Sequence, residues 1–282
     1  MKTNYEQCLS GTNVLLIPYR PEHIPTYHQW MQDTELCELT ASEPLTLNQE
    51  IQMQKEWRDD MNKCTFIILA RNLLADDDDD STVPSPPTSC IIEVDNDDEE
   101  IHDNIGSKSS IYTSLVGNTV NAMIGDVNLF LSDIDNDDDS KKTAASTTTT
   151  TNNNHYQQAE IDIMIALPSH RQKNLGAEIA FMIMHYAASN LHIKRFFAKI
   201  HETNVPSIQL FEKKLGYVMC EYVKCFGEYC YECKCDSSEE MVLWVLEKWR
   251  AWRRIGASSS LSLSSSEVAI NRQMYDVHYC PL

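Results

Sequence analysis

Residues 160–178 read EIDIMIALPSHRQKNLGAE, and this stretch decides the fold. Ile161, Ile163 and Ile165 fall opposite Glu160 and Asp162, the two-residue period of a strand with one buried face. Pro168 ends that alternation and a short polar loop follows. From Ala177 onward, Ile179, Ile183, Tyr186, Ala187 and Leu191 recur at helical spacing. A strand that passes through a loop directly into a helix makes a phosphate cradle. The first N–H groups of a helix lack intrahelical acceptors, and the helix dipole favours negative charge beside them. The loop also supplies Arg171, a fixed cationic fork, and Gly176, which has no Cβ to hold the backbone away from an anion.

Outward from this segment the chain alternates strands and helices. Residues 13–18 and 64–70 read as short apolar strands, and 124–133, IGDVNLFLSD, as another. Between them, Ile24, Tyr27 and Met31 line one side of a helix over 21–31. A second helix begins at Thr46, which forms a capping-box pattern with Gln49 and continues with Ile51, Gln54, Trp57 and Met61 on one face. After the cradle helix, 195–200 reads as a strand. Pro206 suits the first turn of a further helix whose buried face is Ile208, Phe211 and Leu215, stopped by Gly216. Residues 217–235 read as two strands turning near Gly227, and 239–254 as an amphipathic helix bearing Trp244, Trp249 and Trp252.

The chain has 282 residues, 42% of them apolar, and a formal charge of -19. Much of that acidity is concentrated. Residues 71–122 hold twelve acidic and two basic side chains, and 132–157 hold five acidic and two basic. Their Asp, Pro, Thr and Asn runs read as disordered insertions at hairpin tips, where loop length costs little. The expected organisation is therefore one domain over 1–255, interrupted at 71–122 and 132–157, with a mobile Ser-rich tail over 256–282. Such acidity argues against nucleic acid or an anionic membrane as the main partner. The N-terminus carries no apolar leader, and no apolar run reaches bilayer length, so a cytoplasmic protein with reduced thiols is expected. Cys230, Cys233 and Cys235, with Cys220 and Cys225, lack the paired knuckles of a zinc site and read as sheet residues; no metal is expected.

The order strand, phosphate loop, helix, strand, helix, closing in NVPSIQLFEKKLGY over 204–217, resembles the core of the GNAT acetyltransferases. In that superfamily the loop reads Arg or Gln, two variable residues, Gly, one variable residue, then Gly or Ala. Here it runs Arg171, Gln172, Lys173, Asn174, Leu175, Gly176, with Pro168 three residues ahead of Arg171. TASEPLTL over 40–47 and IGDVNLFLSD resemble one branch, the N-acetyltransferase 9 type, described as acetylating the N-termini of α- and β-tubulin. The resemblance implies an α/β fold with a mixed, mostly antiparallel sheet and helices on both faces. It implies a sheet that splays at the strand ending in Pro168, with acetyl-CoA in the gap and the acceptor amine opposite. The implied reaction is acetyl transfer to a protein N-terminal amine, with tubulin the acceptor.

Candidate residues follow. Arg171, Gln172, Lys173, Asn174, Leu175, Gly176 and Ala177 form the expected diphosphate grip. Asn174 replaces the first glycine of the pattern, and its side chain would crowd the pyrophosphate or close off a backbone donor, weakening binding. As the resemblance implies, the strand end at Met164, Ile165, Ala166 and Leu167 holds the carbonyl oxygen through a backbone N–H. Glu160 is the candidate base or ammonium anchor, with a solvent-facing strand edge as its other reading. Many relatives carry a tyrosine where this chain has Phe211, which leaves Tyr217 as the candidate proton donor to the thiolate, or a packing group. Asn204 either bonds the CoA arm or organises the strand-to-helix turn. A silent acetyltransferase fold serving as a scaffold is the rival reading, carried by Asn174 and Phe211.

Overall fold

Lys63–Ala70 is buried at every position, which only a strand covered on both faces and paired on both edges can be. In the computed structural model, which describes residues 2, 4–74, 119–134 and 157–257 with side chains to 254, this segment is the third of eight strands. The sheet comprises β1 (Leu9–Ser10), β2 (Val14–Pro18), β3 (Lys63–Ala70), β4 (Met123–Ser132), β5 (Gln158–Ile165), β6 (Arg195–His201), β7 (Val218–Val223) and β8 (Glu228–Lys234). They lie in the order β1-β2-β3-β4-β5-β6-β8-β7. Every pairing is antiparallel except β5 with β6. That parallel pair needs a crossover, supplied by the helix that follows the phosphate loop, α4 (Leu175–Asn190). The expected mixed, mostly antiparallel α/β sheet is what the chain forms.

Two layers of side chains divide the core. On one face α4 packs beneath α6 (Ser238–Ala257), and Phe66, Ile68, Ile161 and Phe196 meet Phe181, Ile183 and Tyr186. Being enclosed by sheet and helix together, α4 buries twelve of its sixteen residues. On the other face α1 (Ile24–Trp30), α2 (Thr34–Leu39) and α3 (Leu47–Asp59) cover Ile17, Tyr19, Ile67, Leu69 and Met164. Tyr27 and Trp57 stack around the Tyr19 ring, with centroids at 5.1 and 6.3 Å. The remaining helix, α5, runs over Val205–Ile208 and continues as a wider π-helical turn over Gln209–Leu215.

The capping box at Thr46 and Gln49 is present, and Gly216 ends α5 at φ 78°, with the Gly216 and Tyr217 N–H groups both returning to the Phe211 carbonyl. Several expectations change. The α3 helix stops at Asp59, because the Asp60 carboxylate takes the Asn62 N–H and turns the chain, so Met61 is exposed and Glu50 takes the buried face. Strand β1 and helix α2, capped by the Asp33 carboxylate on Glu35 N–H and Leu36 N–H, have no counterpart in the sequence reading. Most of 71–122, most of 132–157 and nearly all of 256–282 lie outside the described residues. The edges that are described belong to the fold. Arg71 donates to the Gly11 carbonyl at 2.8 Å and to Ser10 Oγ, and Ala70 N–H reaches the Ala122 carbonyl at 2.9 Å.

Candidate active site

Strands β5 and β6 part company. Their parallel rungs are Gln158 with Arg195, Ala159 with Phe196 and Glu160 with Phe197; beyond these β5 continues to Ile165 and β6 to His201 without a rung between them. Each strand stays anchored on its outer side, β5 to β4 as far as Gly125–Ile165 and β6 to β8 as far as His201–Glu228. A wedge-shaped gap therefore opens toward the C-terminal end of β5. Ala166 N–H and Leu167 N–H both bond the Ile124 carbonyl on β4, which fixes the parity of the strand. Even-numbered residues turn their amides to β4 and odd-numbered ones away from it; the Ile163 N–H donates to the Asp162 carboxylate, and that of Ile165 faces the gap. Ala166 and Leu167 are thus engaged elsewhere, and Met164 points its amide to β4. Of the four residues expected to present an oxyanion donor, Ile165 alone is so oriented. Gly125 permits the tight β4–β5 approach, since a Cβ there would lie 1.9 Å from the Met164 carbonyl oxygen.

The phosphate loop closes the head of the gap. After the turn at Pro168–His170, Gln172 and Asn174 adopt left-handed conformations at φ 60° and 63°, and α4 begins at Leu175. Alternating handedness of this kind points successive amides into a concavity, the geometry of an anion nest. The N–H groups of residues 172–176 have no protein acceptor among the described residues, whereas those of Arg171 and Ala177 are held by the Pro168 and Asn174 carbonyls. Asn174, expected to crowd the groove, turns its side chain aside: Lys214 Nζ donates to its Oδ1 at 2.7 Å. Arg171 is engaged differently from the phosphate role expected of it. Its Nε and an Nη donate to the Ile165 and Ala166 carbonyls at 2.9 and 3.1 Å, with Glu35 at 3.7 Å, so the guanidinium braces the end of β5. Gly176 faces Leu210, whose Cδ2 would sit 3.1 Å from a Cβ, so its smallness serves the contact of α4 with α5. Lys173 is exposed at the rim.

The remaining candidates are scattered. Asn204 Oδ1 caps α5 by accepting from Ser207 N–H at 3.2 Å, which realises the turn-organising reading. Phe211 and Tyr217 lie edge to face at 5.1 Å, both buried. The Tyr217 hydroxyl donates to Met184 Sδ at 3.3 Å, and burial holds its pKa well above the ordinary phenol value. It sits in the core away from solvent, in a packing position. Glu160 forms a 2.8 Å ion pair with Lys199 on the face opposite α4.

That same face carries a group of polar residues the sequence reading passed over. Cross-strand register aligns Lys63, Phe130 and Glu160; Thr65, Asn128 and Asp162; and Ile67, Asp126 and Met164. Asp126 is 1% exposed. Its Oδ2 accepts from Asn128 Nδ2 at 2.8 Å and from the Tyr27 hydroxyl at 3.4 Å, while Thr65 Oγ1 secures Asn128 at 2.7 Å. Burial, and then the charge of Asp162, raise the Asp126 carboxyl to about 7; burial raises Asp162 to about 6 despite the attraction of Lys63. Lys63 Nζ lies between the Trp57 and Phe130 rings at 3.5 and 3.9 Å, and burial lowers it to about 8. The signal was visible: Asp126 and Asn128 share one parity in a strand otherwise apolar, and polar residues on a covered face require partners.

Comparison with known proteins agrees with this geometry. The model of the "Acetyltransferase (GNAT) domain" family matches residues 93–218. The chain is 37% identical over 228 residues to an N-acetyltransferase 9-like protein of Nematostella vectensis, covering 81% of this chain and 86% of that one. It is 33% identical over 249 residues to the human alpha/beta-tubulin-N-acetyltransferase 9, covering 88% and 92%. A spermidine N-acetyltransferase from Vibrio cholerae, solved with CoA and spermine, superposes with a TM-score of 0.50 at 12% identity, over 82% of this chain and 98% of that one.

Proposed function

Because this chain belongs to the GNAT acetyltransferases, within the N-acetyltransferase 9 group, and is an acyltransferase, we propose that it transfers acetyl from acetyl-CoA to the N-terminal amine of α- and β-tubulin. The observation that carries the donor assignment is the parting of β5 from β6 with an anion nest at its head. The pyrophosphate would accept from the N–H groups of 172–176, with Lys173 and Lys214 supplying positive charge at the rim and Arg171 holding the strand end in register. Ile165 would offer its N–H group to the thioester oxygen, where negative charge develops as the amine adds. Asn204, capping α5, and Phe211, packed on Tyr217, would fix the helix beside the pantetheine arm. Tyr217, with its hydroxyl on Met184, is assigned to packing, and a CoA thiol ionises near pH 8.5, so its departure needs no dedicated acid. Glu160, paired with Lys199, lies on the rim of the acceptor side.

The acceptor assignment rests on the human relative's name and on the covered polar face beside the gap. Residues 1–255 are read as one catalytic unit working in the cytoplasm; among the described residues no helix is long and apolar enough to cross a membrane. Mass spectrometry of tubulin N-terminal peptides incubated with the protein and acetyl-CoA, against N-terminal peptides of unrelated sequence, tests the reading. Preferential acetylation of the tubulin peptides is expected. Equal acetylation of both sets would overturn the substrate assignment, and calorimetry showing no acetyl-CoA binding below millimolar concentration would overturn the donor assignment.

A further inference from the structure

Asp126 and Asp162 are diagonal neighbours on β4 and β5, on the face away from α4. Asp126 pairs with Met164 and Asn128 with Asp162, which sets the Cβ atoms of the two acids about 7 Å apart or less. Asp162 is the first side chain on this face beyond the last β5–β6 rung, so it borders the gap, and Asp126 stands one strand inward at the depth of Met164. Both the Asn128 and the Tyr27 hydrogen bonds to Asp126 fall on Oδ2. Close by, the Tyr19 hydroxyl is buried without a hydrogen-bond partner, and its oxygen feels the charge of both Glu50 and Asp126. A buried hydroxyl left without a partner marks a place where a polar ligand or water belongs. The cluster also has a surplus of acid: Asp126 and Asp162 share Lys63, the one buried lysine among the described residues, whose ammonium is already held by two rings, while Glu50 has His28 at 3.5 Å. An additional cation fits this balance.

We propose that the acceptor's α-ammonium docks between Asp126 and Asp162, and that this carboxylate pair, held by Tyr27 and Asn128, takes the proton that frees the amine for attack. The inference rests on the acetyltransferase reading and names the residues of its amine subsite. The ammonium gives one proton to the pair, and the neutral amine forms the N–C bond at the thioester carbon. The C–S bond then breaks with its electrons going to sulfur, and a second proton from nitrogen goes to the thiolate. Amide and thiol leave, and the pair returns its proton to solvent. Glu160 is excluded from this position because Lys199 neutralises it.

Several charged or titratable groups face the pair: Tyr27 from α1, Tyr19 beyond β2, Lys63 from β3, Glu50 from α3, Glu160 from β5 and Lys199 from β6. Their sum leaves the pair partly protonated near neutrality, so kcat at saturating peptide falls as pH drops through about 6 to 7. The test is Asp126→Asn and Asp162→Asn, each assayed for acetyl-CoA affinity by calorimetry and for the pH profile of kcat on an N-terminal peptide. Acetyl-CoA affinity is expected to stay within twofold. The kcat plateau should fall about a hundredfold in both, and in Asp162→Asn the acid limb should move to lower pH because Asp126 no longer has that like charge beside it. A plateau within threefold of the parent in either variant, or an unmoved limb in Asp162→Asn, overturns the proposal while acetyl-CoA binding leaves the enzyme reading intact. If Asp126→Asn does not fold, Asp162→Asn, at a less deeply buried site, decides the matter by the same two criteria. A parent protein that binds no acetyl-CoA would instead refute the underlying reading.

Discussion

Asn174→Gly probes the phosphate loop most directly, because it restores the residue the GNAT pattern calls for at a position the structure has resolved by other means. The asparagine sits at φ 63° and ψ 8°, and its side chain is drawn toward α5 by Lys214. Relief of the left-handed strain gains about 1 kcal/mol at most, while the extra backbone freedom of glycine costs about 0.5–1 kcal/mol. The exposed contact to Lys214 contributes no more than about 1 kcal/mol. Stability should therefore change by less than about 1 kcal/mol. For binding, the N–H groups of 172–176 face the nest in either form, so the acetyl-CoA dissociation constant should move by less than about threefold, or about 0.65 kcal/mol. Were the amide instead blocking one donor, its removal would recover a charge-assisted hydrogen bond of roughly 1.5–3 kcal/mol, which is about ten- to a hundredfold. Titration calorimetry separates these outcomes. Tightening of tenfold or more would refute the placement of this side chain outside the groove.

Gly125→Ala should destabilise the fold by at least about 3 kcal/mol, lowering the melting temperature by about 6–12 °C, since the new methyl meets the Met164 carbonyl at 1.9 Å and backbone yields poorly; an unchanged melt would disprove the tight β4–β5 approach. Tyr217→Phe should cost about 1 kcal/mol through its lost bond to Met184 and leave kcat within twofold, so a tenfold fall in kcat at unchanged stability would return the hydroxyl to the chemistry. The Asp126 carboxyl has its folded pKa raised from 3.8 to about 7, so its contribution is fully present below pH 3.8 and is lost as pH rises through about 7, by up to about 1.4 kcal/mol per unit. Urea denaturation should accordingly show Asp126→Asn gaining on the parent between pH 5 and pH 8, and a constant difference across that range would mean the carboxyl titrates normally.

The strands, the crossover helix and the phosphate loop were legible because each is written in local terms: a period of two over 160–165, helical spacing from Ala177, and glycine stops at Gly216 and Gly227. The roles of individual site residues were less so. Arg171 carries the charge expected of a phosphate ligand, yet the carbonyls at the end of β5 are nearer to it, and only the folded loop reveals that competition. Glu160 and Asp162 look equivalent on paper. Lys199 comes from a strand that is remote in sequence and distinguishes them. Asp126 gains its importance from Tyr27, Asn128 and Asp162 together, and register across three strands and a helix cannot be read from any one of them.

The hairpin joining β3 to β4 closes through Ala70 and Ala122, and Arg71 fastens its near side to the Ser10–Gly11 turn. A foreign cassette spliced between Leu74 and Thr119 would therefore leave sheet register alone, with each doubling of its length adding only about 0.6 kcal/mol of closure entropy. The antiparallel order puts this port at the same end of the sheet as the phosphate loop, because Gly125 near the start of β4 stands opposite Ile165 at the end of β5. The port between Ile134 and Gln157 opens at the other end, where Ser132 pairs with Gln158. A fluorophore grafted at the first port would stand at the phosphate-loop end of the sheet, and one at the second at the opposite end.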